Sequence, residues 1–214
     1  MGFTSLAIAI STFLLKEWES LYGIVTKLFS FSAKNQGIYE IIDYDTTLEL
    51  SATGKTATFL KRQKIKFLQD NIISFQDFAW GEGEMFENYK CSPGVVADRY
   101  FVGDRWNILI SLRETKSRGD IEEFFIQSTF KDAYVNSSEW HQVEIRHDTK
   151  HLKMTIQFPK RRHCKRATIH RRHRKLTTEL GPEHFSTLPD GRQVVIWEAS
   201  NVKPLEVYTL RWEW

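Results

Sequence analysis

From Tyr39 to the C-terminus the apolar side chains return with a period of two, in short runs broken by turn residues. Tyr39–Leu50 reads YEIIDYDTTLEL, SATGK follows at Ser51–Lys55, and ATFLKRQKIKFL and Asn71–Trp80 (NIISFQDFAW) come next. Further runs cover Trp106–Leu112, Ile121–Phe130, Trp140–Arg146, Leu152–Phe158, Arg192–Glu198 and Glu206–Trp214. Turn signals part most of them: SPG at Ser92–Gly94, SRGD at Ser117–Asp120, NSS at Asn136–Ser138 and LPDG at Leu188–Gly191. A period of two places alternate side chains on opposite faces of a strand. No helical pattern of 10–15 residues separates the runs, as a parallel α/β sheet requires. The pattern predicts an antiparallel β-sandwich or barrel of about nine to ten strands over residues 37–214.

Composition agrees. Aromatics make up 14% of the 214 residues, with 7 Trp, 7 Tyr and 15 Phe, against only 11 Gly and 5 Pro. Such side chains suit pleated, half-buried surfaces. The balance of 41% hydrophobic and 27% charged residues excludes a wholly disordered, collagen-like or multi-pass membrane chain. The two cysteines, Cys91 and Cys164, allow at most one bridge, so disulfides do not organise the fold, and a cytoplasmic, reducing setting is expected. At the C-terminus Tyr208, Leu210, Trp212 and Trp214 alternate with Thr209, Arg211 and Glu213, which predicts a strand of the core sheet.

Residues 1–36 read differently. Phe3–Leu15 is uncharged and Leu21–Phe31 is apolar again, with KEWES between them. As one helix, Ile10, Phe13, Leu14, Trp18, Leu21, Ile24, Val25 and Leu28 fall on one stripe, spaced by three and four. The expectation is an amphipathic N-terminal helix and linker, packing on the body, on another subunit, or at a membrane surface. The uncharged stretch is shorter than the roughly 20 residues of a bilayer span. No Lys or Arg precedes it, as a signal peptide would have. Leu6 stands where a myristoylation motif has Ser or Thr.

Charge is segregated along the chain. Lys160–Lys175 (KRRHCKRATIHRRHRK) holds nine Lys/Arg, three His and no acid, so a net charge of +3 becomes −6 for the remainder. Such a cluster attracts phosphates through counterion release. Lys160, Arg161, Arg162, Arg166, His170, Arg172 and Arg174 are the candidate anion-binding residues, with nucleic acid, a nucleotide or anionic lipid as partner. Read as a strand, Arg166, Thr168, His170, Arg172 and Arg174 share one face, while the aromatics that stack single-stranded bases are missing. The plainer alternatives are a charged edge strand that blocks aggregation, or pairing with the acids around Gly81–Glu87.

Other constellations are weak. His163, Cys164, His170 and His173 lack zinc spacing and sit among cations, so no metal is expected. His147 and His151 lie across a turn in a strand–turn–strand reading, and His141 and His184 have no evident partner. Cys91, in YKCSPG, reads as a small buried hydrophobe. Arg118-Gly119-Asp120 reads as a turn. Asp77, Trp80, Glu82, Glu84, Glu87, Tyr89, Asp98 and Asp104 gather around two apparent long loops, Gly81–Gly94 and Val95–Asp104. No phosphate loop, GxSxG, HExxH or kinase set occurs, so neither an enzyme nor a cofactor is expected.

The leading expectation is therefore a non-enzymatic binding module that holds an anionic partner. In layout, an apolar N-terminus followed by a β-rich body, the chain resembles the small membrane-associated β-barrel effectors of bacterial nucleotide-signalled defence. Those carry two full transmembrane helices, where this chain has one short apolar and one amphipathic stretch. The resemblance implies, as the alternative, a membrane-associated effector or sensor with a β-rich ligand-sensing domain.

Overall fold

The computed structural model describes residues 37–81 and 84–214, so the expected N-terminal helix and its stripe lie outside the described residues. Those residues are mainly β. In chain order the strands are β1 (Tyr39–Leu50), β2 (Thr56–Phe67), β3 (Ile72–Ala79), β4 (Glu84–Ser92), β5 (Val95–Val102), β6 (Arg105–Lys116) and β7 (Ile121–Lys131). They continue with β8 (Ser138–Glu144), β9 (Thr149–Phe158), β10 (Arg166–Arg171), β11 (Leu176–Glu179), β12 (Phe185–Thr187), β13 (Gln193–Val202) and β14 (Val207–Glu213). A seven-stranded sheet has the order β12-β13-β9-β1-β2-β7-β4, a four-stranded sheet β11-β10-β14-β8, and a three-stranded sheet β3-β6-β5.

All pairings are antiparallel except that of β1 with β9, which run parallel in the middle of the large sheet. The described residues thus hold fourteen strands rather than nine or ten, and not all are antiparallel. The surplus comes mostly from short edges (β11, β12) and from two strands read as loops. Within Gly81–Gly94 lies β4, whose pairing with β7 shifts register twice, and within Val95–Asp104 lies β5, exposed at every residue. Bulges break the period of two in the first, and a strand without a buried face has no such period to show.

The inward face of the large sheet is set by local sequence. Along β1, Tyr39 and Ile41 are buried, and after a register shift between Ile41 and Asp43 the buried set becomes Thr46, Leu48 and Leu50. The bulge moves the inward parity from odd to even residues. At the β1–β2 turn Gly54 has φ 74, and a Cβ there would approach the Tyr134 carbonyl oxygen to 1.7 Å, so only glycine fits.

The core under this sheet has two apolar ends. At one, Phe158 meets Trp212 and Trp214 edge-on at 5.9 and 6.0 Å, beside Tyr134, Leu48 and Leu210. This end joins the large sheet to the four-stranded one, and the expected alternation holds: Tyr208, Leu210, Trp212 and Trp214 are all buried. At the other end Phe75 of β3 stacks on Phe124 of β7 at 4.2 Å and meets Tyr39 at 5.5 Å, joining the three-stranded sheet. Each fully buried side chain of this size contributes roughly 1.5–3 kcal/mol. Between the two ends the inward residues of β2 turn polar: Lys61 and Gln63 are both buried.

Candidate functional site

The basic segment begins after β9 and continues through β10 into a short 3-10 turn, Arg172–Arg174. The strand exists because Ala167 and Ile169 face the core while Arg166, Thr168 and His170 face outward. It ends at Arg171, so Arg172 and Arg174 leave the expected ladder and enter the turn, which closes on Lys175 at φ 49. The cations therefore gather at both ends of β10. On the strand itself, Arg166 at its start donates to Glu179 at 2.8 Å, and His170 Nδ1 lies 2.9 Å from the Thr177 hydroxyl.

Several of the segment's basic side chains are structural. Arg162 lies 3.5 Å over the Trp214 ring and donates to the Asn136 carbonyl, and Arg171 faces the Trp197 ring at 5.7 Å. His173 sits 3.1 Å from a Glu206 carboxylate oxygen. Lys160, Arg161, Arg172, Arg174 and Lys175 are exposed, and among the described residues none forms an ion pair with a carboxylate.

The acids that might have neutralised the segment are engaged elsewhere. Asp77 pairs with Lys61, Glu87 with Lys131 at 2.5 Å, and Asp104 with Arg105 at 3.3 Å. Among the described residues, no acid between Gly81 and Asp104 pairs with Lys160–Lys175.

The remaining sequence candidates disperse. Cys164 is buried with its thiol 3.2 Å from the Arg166 carbonyl, and burial raises its pKa to about 11. No group of three or more His, Cys, Asp or Glu is placed to hold a metal among the described residues. His147 is buried 4.0 Å from Tyr39, whereas His151 lies half-exposed near Asp43 and Glu198. Cys91 is half-buried, its thiol 3.9 Å from the Gly94 carbonyl. Arg118–Asp120 forms a turn tied to Asp70 and Phe67.

A cluster that sequence reasoning found only in part, through Asp77, Trp80 and Tyr89 but without Lys61 or His141, occupies the polar seam of the core. Lys61 of β2 and Asp77 of β3 form an ion pair with side chains only 4% and 5% exposed. Tyr89 of β4 donates to the second Asp77 oxygen at 2.9 Å. Burial works against the Lys61 ammonium, but the adjacent carboxylate outweighs it and holds the pKa above the ordinary lysine value. Burial, then the Asp77 charge, raises the Tyr89 pKa and keeps the phenol protonated. His141 of β8 lies 3.3 Å from the Thr46 hydroxyl, and burial followed by the Lys61 charge lowers its pKa to about 4.

Across this seam the two smaller sheets are tied together. Arg105 of β6 pairs with Glu144 of β8 at 2.5 Å, Trp80 donates to Gln142 at 3.2 Å, and Arg146 lies 3.7 Å over the Phe78 ring. The sequence signal that could have found the cluster was Lys61 itself, a charge at an inward position between Phe59 and Ile65.

No family model matches this chain, and no curated protein matches it. Among solved structures, it is similar to a crystal structure of a Parabacteroides distasonis protein provisionally described as a protease, at 10% identity and a TM-score of 0.47. The match covers 83% of this chain and 40% of that one, so this chain spans well under half of that protein's length. At that similarity nothing is transferred from it. No helix among the described residues is long and apolar enough to cross a membrane.

Proposed function

We propose that this protein is a non-enzymatic binding module that holds an extended polyanion along β10. One observation carries this reading: Lys160, Arg161, Arg172, Arg174 and Lys175, which precede and follow β10 in the chain, are exposed and form no ion pair with a carboxylate among the described residues, while many acids of the body are spent on internal pairs. A six-residue strand spans about 20 Å, more than one nucleotide covers, so both ends are met together only by a chain of phosphates or a charged surface. A nucleic-acid strand is the partner argued for, bound through backbone phosphates without base reading, since no aromatic side chain interrupts the segment.

The test is binding of a single-stranded oligonucleotide to the full chain at several salt concentrations. If the five cations meet phosphates, the logarithm of the affinity falls with the logarithm of salt with a slope of about −3 to −4. Arg161→Ala, Arg172→Ala and Arg174→Ala should each flatten it by roughly 0.7. Arg166→Ala should have a smaller effect, because Glu179 already engages that side chain. Affinity that stays flat with salt overturns the reading, and binding to anionic vesicles in preference to the oligonucleotide moves the partner to a lipid surface.

The finer architecture proposed is a β-sandwich whose large sheet faces the two smaller ones, joined to an amphipathic helix over residues 1–36. That helix is what a membrane-associated effector would use. Flotation of the full chain with neutral vesicles tests it; failure to float removes the membrane role.

A further inference from the structure

The polar seam leaves a cavity of about 80 Å³ between the two apolar ends of the core. Protein interiors pack at crystal density, and about 10–15 Å³ of such space already admits one water, so this void is several waters large. All three sheets contribute walls. Phe59, Trp80, Phe86 and Trp140 supply aromatic surface, while Ser128, Gln142 and the His141–Thr46 pair supply hydrogen-bonding groups. An apolar core would close such a gap. Here the chain instead spends a buried Lys–Asp pair, at a desolvation cost of several kcal/mol per ion, to line it.

The ionisable groups in these walls are already engaged. Asp77 takes the Lys61 ammonium on one oxygen and the Tyr89 hydroxyl on the other. Glu139 accepts the Asn136 amide at 2.7 Å. His141 is uncharged at neutral pH. An ionised ligand would therefore enter a low-dielectric site with no free counter-charge, which is costly. A neutral planar ligand stacks on the aromatic walls and presents its polar edge to Ser128 and Gln142.

We propose that the seam cavity is a binding site for a small uncharged ligand with a planar aromatic body and a hydrogen-bonding edge. The site is separate from the basic segment and independent of its function. Three probes sharing one ring separate the charge states: benzamide, benzoate and benzylamine, with cyclohexanecarboxamide as the non-planar control. Binding to the full chain is read by ligand-observed NMR and by the concentration dependence of Tm. Benzamide should bind with millimolar affinity or better, at least about fivefold more tightly than the other three. Ser128→Leu fills the cavity and should weaken benzamide at least tenfold while leaving the unliganded Tm at or above that of the parent. Should that variant fail to fold, Gln142→Ala, at a half-buried edge position, should weaken benzamide about threefold. No benzamide binding up to about 10 mM overturns the proposal. So does equal or tighter binding of an ionised or non-planar probe, or benzamide affinity unchanged in the variant that folds.

Discussion

Two concentrations of charge, the seam and the basic segment, are built on opposite rules. In the seam Lys61, Asp77 and Tyr89 come from three strands, lie out of water and satisfy one another. In Lys160–Lys175 the charged side chains come from one continuous stretch, and at five exposed positions they form no ion pair with a carboxylate among the described residues. The first arrangement spends charge on internal order and leaves a neutral interior. The second leaves charge available for something outside the chain. Net charge conceals this, because a total of +3 is the sum of the segment's +9 and a body at −6.

The comparison breaks most readily at the seam. Lys61→Met leaves Asp77 buried and uncompensated and should cost about 3–5 kcal/mol in urea unfolding. Adding Asp77→Leu should recover most of that loss, since a buried pair is often replaceable by apolar groups of similar volume. Equal costs for the single and double variants would mean that packing, not charge matching, holds the seam.

Acid sharpens the same point. His141 and His147 each have a folded pKa of about 4 against 6.5 for the free side chain, in both cases chiefly through burial. Between those values the unfolded chain binds more protons than the folded one, so stability present above about pH 6.5 is lost as pH falls toward 4. The loss should reach up to about 3 kcal/mol per histidine, followed by urea midpoints across that range. A flat profile would show that the histidines are hydrated and the seam open.

At the basic segment the stability effects should be small. Arg166→Ala or Glu179→Ala removes an ion pair exposed to water on both sides and should leave the urea unfolding midpoint nearly unchanged. A larger loss would make the pair part of the fold and weaken the view that this surface is kept for a partner.

Much of the fold was legible in the sequence. The alternation of Tyr208, Leu210, Trp212 and Trp214 and the runs around β6, β7, β9 and β13 each lead to a strand. Legibility failed where the period of two was broken or absent, as at the bulged β4 and at β5, which is exposed throughout. The basic segment was visible because its charges are adjacent in the chain. The seam was visible only in part: Asp77 and Tyr89 stood together in the acidic and aromatic cluster, but Lys61 and His141 join them only through strand pairing and sheet packing, and Lys61 reads as an ordinary strand residue.

The most direct test of the central claim is the salt dependence of oligonucleotide binding by the full chain, compared with a chain carrying Arg161→Ala, Arg172→Ala and Arg174→Ala together. A parental slope of about −3 to −4 that falls by roughly 2 in the triple variant, with urea stability unchanged, is the predicted result. Binding that is flat with salt, or a slope the three substitutions leave untouched, would contradict it.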